Sequence, residues 1–269
     1  MTSFFTCPVC GEALTGDKTF KCPNNHSFDK NKHGYLNLLL SNASASKRHG
    51  DDRLMVLARS EFLEKGHYAP VREALTEALL KHARQGMRIL DAGCGEGWYT
   101  AHFAQALEEY APTVGGVDIS KDALRQAAKR GLPQLAVAST AKLPVASESC
   151  DAVLNIFSPP ELKEFRRVLK ENGVLIRALP MENHLLGLKQ AVYDSALLNP
   201  VPVTDIEGYA LTEATPVQYE ITVHGEDIWN LFTMTPYYYK TGKADQEKLK
   251  TLDTLTTQVE ILVLTYEKA

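Results

Sequence analysis

The chain has 269 residues, with 29 Lys and Arg against 33 Asp and Glu and a formal net charge of -4. Hydrophobic residues at 44% and charged residues at 23% lie near globular averages, which excludes a disordered, collagenous or fibrous chain. No apolar run approaches the roughly 20 residues of a membrane span, and Met1 to Val9 lacks the basic start and long apolar stretch of a secretory signal, so no membrane partner and a cytoplasmic location are expected.

In that compartment the five cysteines are reduced thiols or metal ligands. Cys7 and Cys10 are two residues apart in the chain's first knuckle, and Cys22 and His26 form a second. Such spacing lets two knuckles present four ligands at the corners of a tetrahedron. Thiolates with imidazole suit zinc, and a closed set leaves no position for a reacting water. A structural Zn2+ is therefore expected in a small β module over residues 1–40. The competing reading is ordinary thiols in a small sheet, but this stretch has few large apolar residues with which to build its own core.

Residues 41–66 read as a basic linker and helix. Asn42 to His49 is small, polar and then basic, and Asp51 is expected to cap a helix with Leu54, Met55, Ala58 and Phe62 on one face. Residues 1–60 carry eight Lys and Arg against five Asp and Glu, whereas the remaining 209 carry 21 against 28. The basic surplus thus sits at the front of the chain.

Residues 67–269 read as one larger domain of alternating elements. Helices are predicted over Val71 to His82, Thr100 to Glu109, Asp122 to Lys129 and Glu161 to Leu169. Strands are predicted over Arg88 to Asp91, Thr113 to Asp118, Leu135 to Ala138, Asp151 to Phe157 and Val174 to Leu179. That alternation implies an α/β fold, a parallel sheet with helices on both faces. Strands at Val217 to His224 and Val259 to Tyr266, with a helix at Glu226 to Phe232 between them, would close it with an antiparallel edge.

The first of these strands runs into Asp91-Ala92-Gly93-Cys94-Gly95-Glu96-Gly97. Glycines in a strand-to-helix turn let backbone approach a ligand closely at the carboxyl edge of the sheet. The spacing is not the dinucleotide fingerprint, and Asp91 would repel a pyrophosphate while suiting a cationic ligand. Asp118, at the end of the next strand, can accept two hydrogen bonds from a ribose diol; alone it could equally be a solvated acid.

These segments, with Asp151-Ala152-Val153-Leu154 and Arg167-Val168-Leu169-Lys170, resemble the successive motifs of class I S-adenosylmethionine-dependent methyltransferases. The metal knuckles, His33-Gly34-Tyr35-Leu36-Asn37, Phe62-Leu63-Glu64-Lys65-Gly66-His67-Tyr68 and Met234-Thr235-Pro236-Tyr237 resemble the bacterial 23S rRNA guanine-N1-methyltransferases, over nearly the whole chain. The resemblance implies a Rossmann-like sheet behind a zinc-ribbon-like module, S-adenosyl-L-methionine as cofactor, and methyl transfer to a guanine N1 in a 23S rRNA hairpin. The basic front would grip the RNA, and a homodimer would suit a large asymmetric target.

The same resemblance assigns Gly93 and Gly95 to backbone contact with the cofactor, Asp118 to its ribose, and Tyr68, Tyr99, Thr100 and His184 to its pocket. Tyr68 and Tyr99 could instead be packing, Thr100 a helix cap, and His184 a surface or packing residue. Asn155 and Ser158 are placed to hydrogen-bond the target base, and Tyr237, Tyr238 or Trp98 could stack on it. No residue identifies itself as the general base. Cys94 and Cys150 read as packing residues. Two alternatives remain: a quinone- or sterol-type small-molecule methyltransferase, which also carries Leu143-Pro144 before Asp151-Ala152-Val153, and a catalytically inactive zinc-containing RNA-binding protein.

Overall fold

The computed structural model describes residues 2–40 and 50–269; the run Asn42 to His49 lies outside the described residues. Four short strands, β1 (Thr2–Thr6), β2 (Ala13–Gly16), β3 (Thr19–Lys21) and β4 (Ser27–Asp29), form an antiparallel sheet in chain order. Then follow β5 (Leu36–Asn37), α1 (Arg53–Glu64), α2 (Ala69–Leu80), β6 (Arg88–Ala92), α3 (Trp98–Ala106), β7 (Thr113–Asp118), α4 (Lys121–Lys129) and β8 (Gln134–Val137). The rest of the chain gives β9 (Cys150–Ile156), α5 (Leu162–Val168), β10 (Leu169–Pro180), α6 (Leu186–Val192) and β11 (Tyr209–His224). It ends with α7 (Glu226–Thr233), α8 (Tyr237–Lys240), α9 (Lys243–Lys250) and β12 (Thr254–Lys268).

A second sheet has eight strands in the order β11-β12-β10-β9-β6-β7-β8-β5. From β10 to β5 every pairing is parallel, and β12 runs antiparallel to both of its neighbours. Strand order reverses between β6 and β9, which opens a crevice at their carboxyl ends, where open α/β sheets bind ligands. Among the described residues no helix is long and apolar enough to cross a membrane.

The two faces of this sheet are covered differently. Val71, Leu75 and Leu79 of α2, Phe103 of α3, Leu188 of α6 and Leu231 of α7 pack over Ile89, Leu154, Ile176 and Ile261. On the other face, among the described residues, α5 alone supplies a helix to the buried cluster in which Phe4, Phe5, Leu14 and Phe20 of the amino-terminal strands join Leu90, Val117, Ala136 and Val153. Helices thus lie on both faces as expected, with the β module supplying the rest of one layer. Gly115 makes room for it, since a Cβ there would lie 2.5 Å from the Phe4 ring. The Arg88 guanidinium stacks 4.3 Å from that ring and donates to the Phe4 carbonyl at 3.2 Å. The Phe4 N–H donates to Gln134 Oε1 at 3.1 Å.

The start of α1 also differs by one residue from expectation. Asp52, not Asp51, caps it, its carboxylate accepting the Met55 N–H at 3.1 Å, while Asp51 pairs with Arg59 one turn and more into the helix. The buried stripe also differs: Leu54 is exposed, and Val56 and Leu63 are buried with Met55, Ala58 and Phe62.

Asp151 opens β9, at the end of the sheet opposite the crevice, and is buried. Burial alone would raise its carboxyl, but the Lys170 ammonium at 2.8 Å, the Arg88 N–H at 2.6 Å and the Arg84 guanidinium at 3.0 Å hold it below the usual carboxylate range. Its contribution to stability is present above the unfolded carboxylate's pKa and lost as pH falls through its lower folded value. Asp151→Ala should cost about 1.5–3 kcal/mol in chemical denaturation, as loss of hydrogen bonds to a charged group does, since Arg84 and Lys170 are partly exposed and stay solvated, with no change in cofactor affinity by calorimetry.

Candidate active site and metal centre

Cys7 and Cys10 flank the turn after β1, and Cys22 and His26 flank the turn between β3 and β4. Their ligand atoms all lie within 4.8 Å of one another. The Cys10 and Cys22 sulfurs are 3.6 Å apart, and His26 Nδ1 stands 3.5 Å from Cys7 Sγ and 3.3 Å from Cys22 Sγ. A tetrahedral zinc with Zn–S of about 2.3 Å and Zn–N of about 2.0–2.1 Å separates its ligands by roughly 3.6–3.8 Å. The set therefore fits zinc, with Nδ1 as the histidine donor. Gly11 (φ +79°) and Asn25 (φ +62°) turn the two knuckles, their N–H groups bonding the Cys7 and Cys22 carbonyls at 2.8 and 3.0 Å. The Glu12 N–H and the Asn24 side chain push the Cys10 thiol down to about 6, which favours the thiolate a metal needs.

Because the knuckles rest on a cluster shared with the large sheet, metal removal should not melt a separate module. Chelation should lower a single cooperative transition of the full chain by about 10 °C or more, measured by calorimetry. Two resolved transitions, with the larger unmoved, would contradict the shared core.

The other centre lies at the crevice. Asp91, at the end of β6, is 1% exposed. Its Oδ2 accepts the Thr100 hydroxyl at 2.6 Å, and its Oδ1 has no hydrogen-bond partner among the described residues. Burial raises its carboxyl to about 7. Beyond it Gly93, Gly95 and Gly97 take φ of +100°, +55° and +81°. A Cβ at Gly93 would strike the Ser158 side chain at 2.5 Å, whereas at Gly95 it would meet only an Arg59 nitrogen at 4.0 Å, leaving that stretch of backbone open to a ligand.

Asp118 accepts the Gly95 N–H at 2.9 Å and the Ser120 N–H at 2.7 Å, one on each oxygen, which leaves each oxygen a lone pair. Burial raises its carboxyl against those two N–H groups. Tyr68 is buried at the start of α2, 3.3 Å from His184 Nε2. His184 Nδ1 accepts the Glu260 N–H at 3.3 Å, so the ring's proton sits on Nε2 and faces Tyr68. Burial, followed by the Lys189 charge, drives that imidazole down to about 3 and keeps it neutral. The Tyr99 hydroxyl is buried and, like Asp91 Oδ1, has no partner among the described residues.

The sequence-predicted residues thus fall into three linked pairs: Asp91 with Thr100, Gly95 with Asp118, and Tyr68 with His184. The target-base candidates fare differently. Asn155 is fully buried, its amide donating to the Ser158 carbonyl at 3.0 Å and hydroxyl at 2.6 Å while its Oδ1 accepts from Arg177 at 3.2 Å. Ser158 in turn donates to the Ala92 carbonyl at 2.8 Å. Both are clamps within the protein, and Asn155 has no donor left for a base. Trp98 is buried under the Arg72 guanidinium, 4.5 Å away, and offers no free face, while Tyr238 is half-buried and packs edge-on with Trp229 and Phe232. Tyr237 is half-buried, near Asn199 and Lys189. Cys94 and Cys150 are buried, and burial holds both thiols above their ordinary value, as packing residues require.

Two crevice residues had no place in the sequence reading. Arg59 donates to the Met234 carbonyl at 2.9 Å and faces Gly95; nothing in a helical stripe marks it. Phe157 has φ +52° and is 43% exposed beside Tyr68 and Tyr99; an aromatic just past a strand end, before Ser-Pro, was the available signal.

Residues 89–173 match a family model described as a methyltransferase domain, and residues 5–47 match one described as "RlmA, N-terminal", a zinc ribbon. A Bacillus subtilis protein named putative 23S rRNA (guanine-N(1)-)-methyltransferase is 32% identical over 97% of this chain and 96% of its own. A Micromonospora griseorubida protein of the same description is 36% identical over 68% and 67%. The Streptomyces fradiae 23S rRNA (guanine(748)-N(1))-methyltransferase is 35% identical over 70% and 68%. The chain belongs to the 23S rRNA (guanine-N1)-methyltransferase family.

For a methyltransferase the crevice fits the cofactor. S-Adenosylmethionine carries a sulfonium and an ammonium, and a buried carboxyl with an unpartnered oxygen is an acceptor for such cations. The methyltransferase should take up the cofactor with Asp91 ionised, so binding releases a proton below pH 7 and weakens as the carboxyl protonates. Calorimetry should find affinity about tenfold lower at pH 6 than at pH 8, and Asp91→Asn should weaken binding and remove the slope.

Proposed function

We propose that this enzyme transfers a methyl group from S-adenosylmethionine to N1 of a guanine in a 23S rRNA hairpin, with the zinc module taking part in RNA recognition. The observation that carries this reading is the extent of the family match. It runs through the metal knuckles as well as the catalytic sheet, over 97% of the chain. A small-molecule methyltransferase would need to share only the sheet.

In this reading the cofactor supplies a methyl group activated by its positive sulfur. The chain's own residues hold and orient. Asp91 faces the cationic part, Gly93 and Gly95 bring bare backbone alongside it, and Asp118 offers its remaining lone pairs to the ribose. Tyr68 and Tyr99 line the helical side of the crevice, with His184 behind Tyr68. Transfer needs the acceptor nitrogen in line with the breaking carbon–sulfur bond, so positioning supplies most of the rate. The N1 proton leaves as the new bond forms.

RNA contact falls to the amino-terminal module, where Lys18, Lys21, Lys30 and Lys32 are exposed. A homodimer acting in the cytoplasm completes the proposal. Primer extension on rRNA from a deletion strain should lose one guanine N1 stop. A plasmid carrying the wild-type gene should restore it, and one carrying Asp91→Ala should not. A stop that persists without the gene would end this reading.

A further inference from the structure

We propose that Phe157 is the platform on which the target guanine stacks. This deepens the guanine-N1 reading and rests on it.

Side chains along β9 alternate, with Leu154 in the cluster on the helical face and Val153 in the cluster under the zinc module. Continued extended backbone would aim Phe157 toward the zinc-module face, where a large apolar side chain could be buried. Instead φ +52° breaks the strand at that residue. The ring is turned to the crevice, its centroid 6.3 Å from both Tyr68 and Tyr99, the two aromatics of the helical side.

A left-handed backbone is disfavoured for any residue with a bulky side chain and persists only where its surroundings over-determine it. Here they do. Asn155 grips both the carbonyl and the hydroxyl of Ser158, Ser158 ties to the Ala92 carbonyl, and Gly93 lacks the side chain that would displace Ser158. The two polar residues flanking the turn are spent inside the protein, and the aromatic between them is presented outside.

The ring geometry completes the case. Phe157 meets Tyr68 at 78° and Tyr99 at 59°, one T-shaped and one tilted contact, so neither tyrosine stacks in parallel on its ring. With 43% of the residue exposed just past the carboxyl end of β9, apolar ring surface stands open to solvent beside Tyr68 and Tyr99. A purine extruded from its helix presents a matching face. Stacking sets the plane of the base, which in-line attack by N1 requires, and leaves rotation within that plane to polar contacts.

The test is methyl transfer to a 23S rRNA transcript by the full chain carrying Phe157→Ala, Phe157→Leu, Phe157→Tyr or Phe157→Gly. S-Adenosylhomocysteine affinity and thermal stability are measured on each. Stacking predicts kcat/KM for RNA reduced about 10- to 100-fold in the Ala and Leu variants and kept within about threefold in Tyr, with S-adenosylhomocysteine affinity unchanged throughout. Glycine adopts positive φ freely, so Phe157→Gly should be at least as stable as Phe157→Ala and lose transfer equally. Wild-type transfer by Phe157→Leu would overturn the proposal by showing that bulk alone suffices. Loss of S-adenosylhomocysteine affinity in step with transfer would overturn it by making Phe157 a cofactor wall. Nucleoside analysis of the wild-type product separates the two levels: methyl at a position other than guanine N1 would remove the underlying reading and this proposal with it.

Discussion

A carboxyl group held out of water at the end of β6 is the constraint around which the catalytic half is arranged. Asp91 keeps one hydrogen bond, from Thr100, and one buried oxygen without a partner. Such a group costs the empty protein stability, since desolvation favours its neutral form. The arrangement makes sense as the complement of a cation. The neighbouring backbone serves the same end: Gly93, Gly95 and Gly97 at positive φ carry no side chains, the intervening Cys94 and Glu96 are buried, and Asp118 pins the turn through the Gly95 N–H.

The metal module is bound to this machinery through packing. Phe4 lies over Gly115 of β7, and β5, just beyond the knuckles, adds a strand to the large sheet beside β8. A zinc site usually stabilises a minimal domain that cannot build a core. Here its strands also cover apolar surface of the catalytic sheet that a helix would otherwise cover. Metal knuckles and catalytic sheet are therefore mechanically continuous, which gives the knuckles a structural reason to be present.

Much of this was legible in the chain. Strand and helix order from Arg88 to Leu179 follows from hydrophobic period, and the four metal ligands follow from spacing, because both signals are local; α6, α8 and α9, short helices beyond it, were not read. What escaped were features made by distant segments meeting. The alternating pattern cannot say what covers a sheet face, so the zinc module's place on Leu90 and Val117 was not visible. The one-residue offset between Asp51 and Asp52 turned on which carboxylate reached the Met55 N–H, a choice settled by Arg59 taking the other. Asn155 and Ser158 looked like ligands because polar residues at a strand's carboxyl end often are; the structure instead turns them on each other, through a loop conformation that residue type alone does not reveal.

Net charge is the remaining point on which sum and arrangement part. An acidic chain is a poor partner for RNA only if its acids face the RNA. Asp91, Glu96 and Asp151 are buried, the first at the cofactor crevice and the other two paired with Arg130 and with Arg84 and Lys170. Glu96 has a further task, since Arg130 also reaches Glu64 and Ser60 and so ties the glycine turn to α1. Three acids thus contribute to the formal charge but little to the outward field, and on the metal module Lys18, Lys21, Lys30 and Lys32 stand in solvent beside the exposed Glu12, Asp17 and Asp29. The field an approaching polyanion meets is set by that division between buried and exposed charge, not by the formal sum.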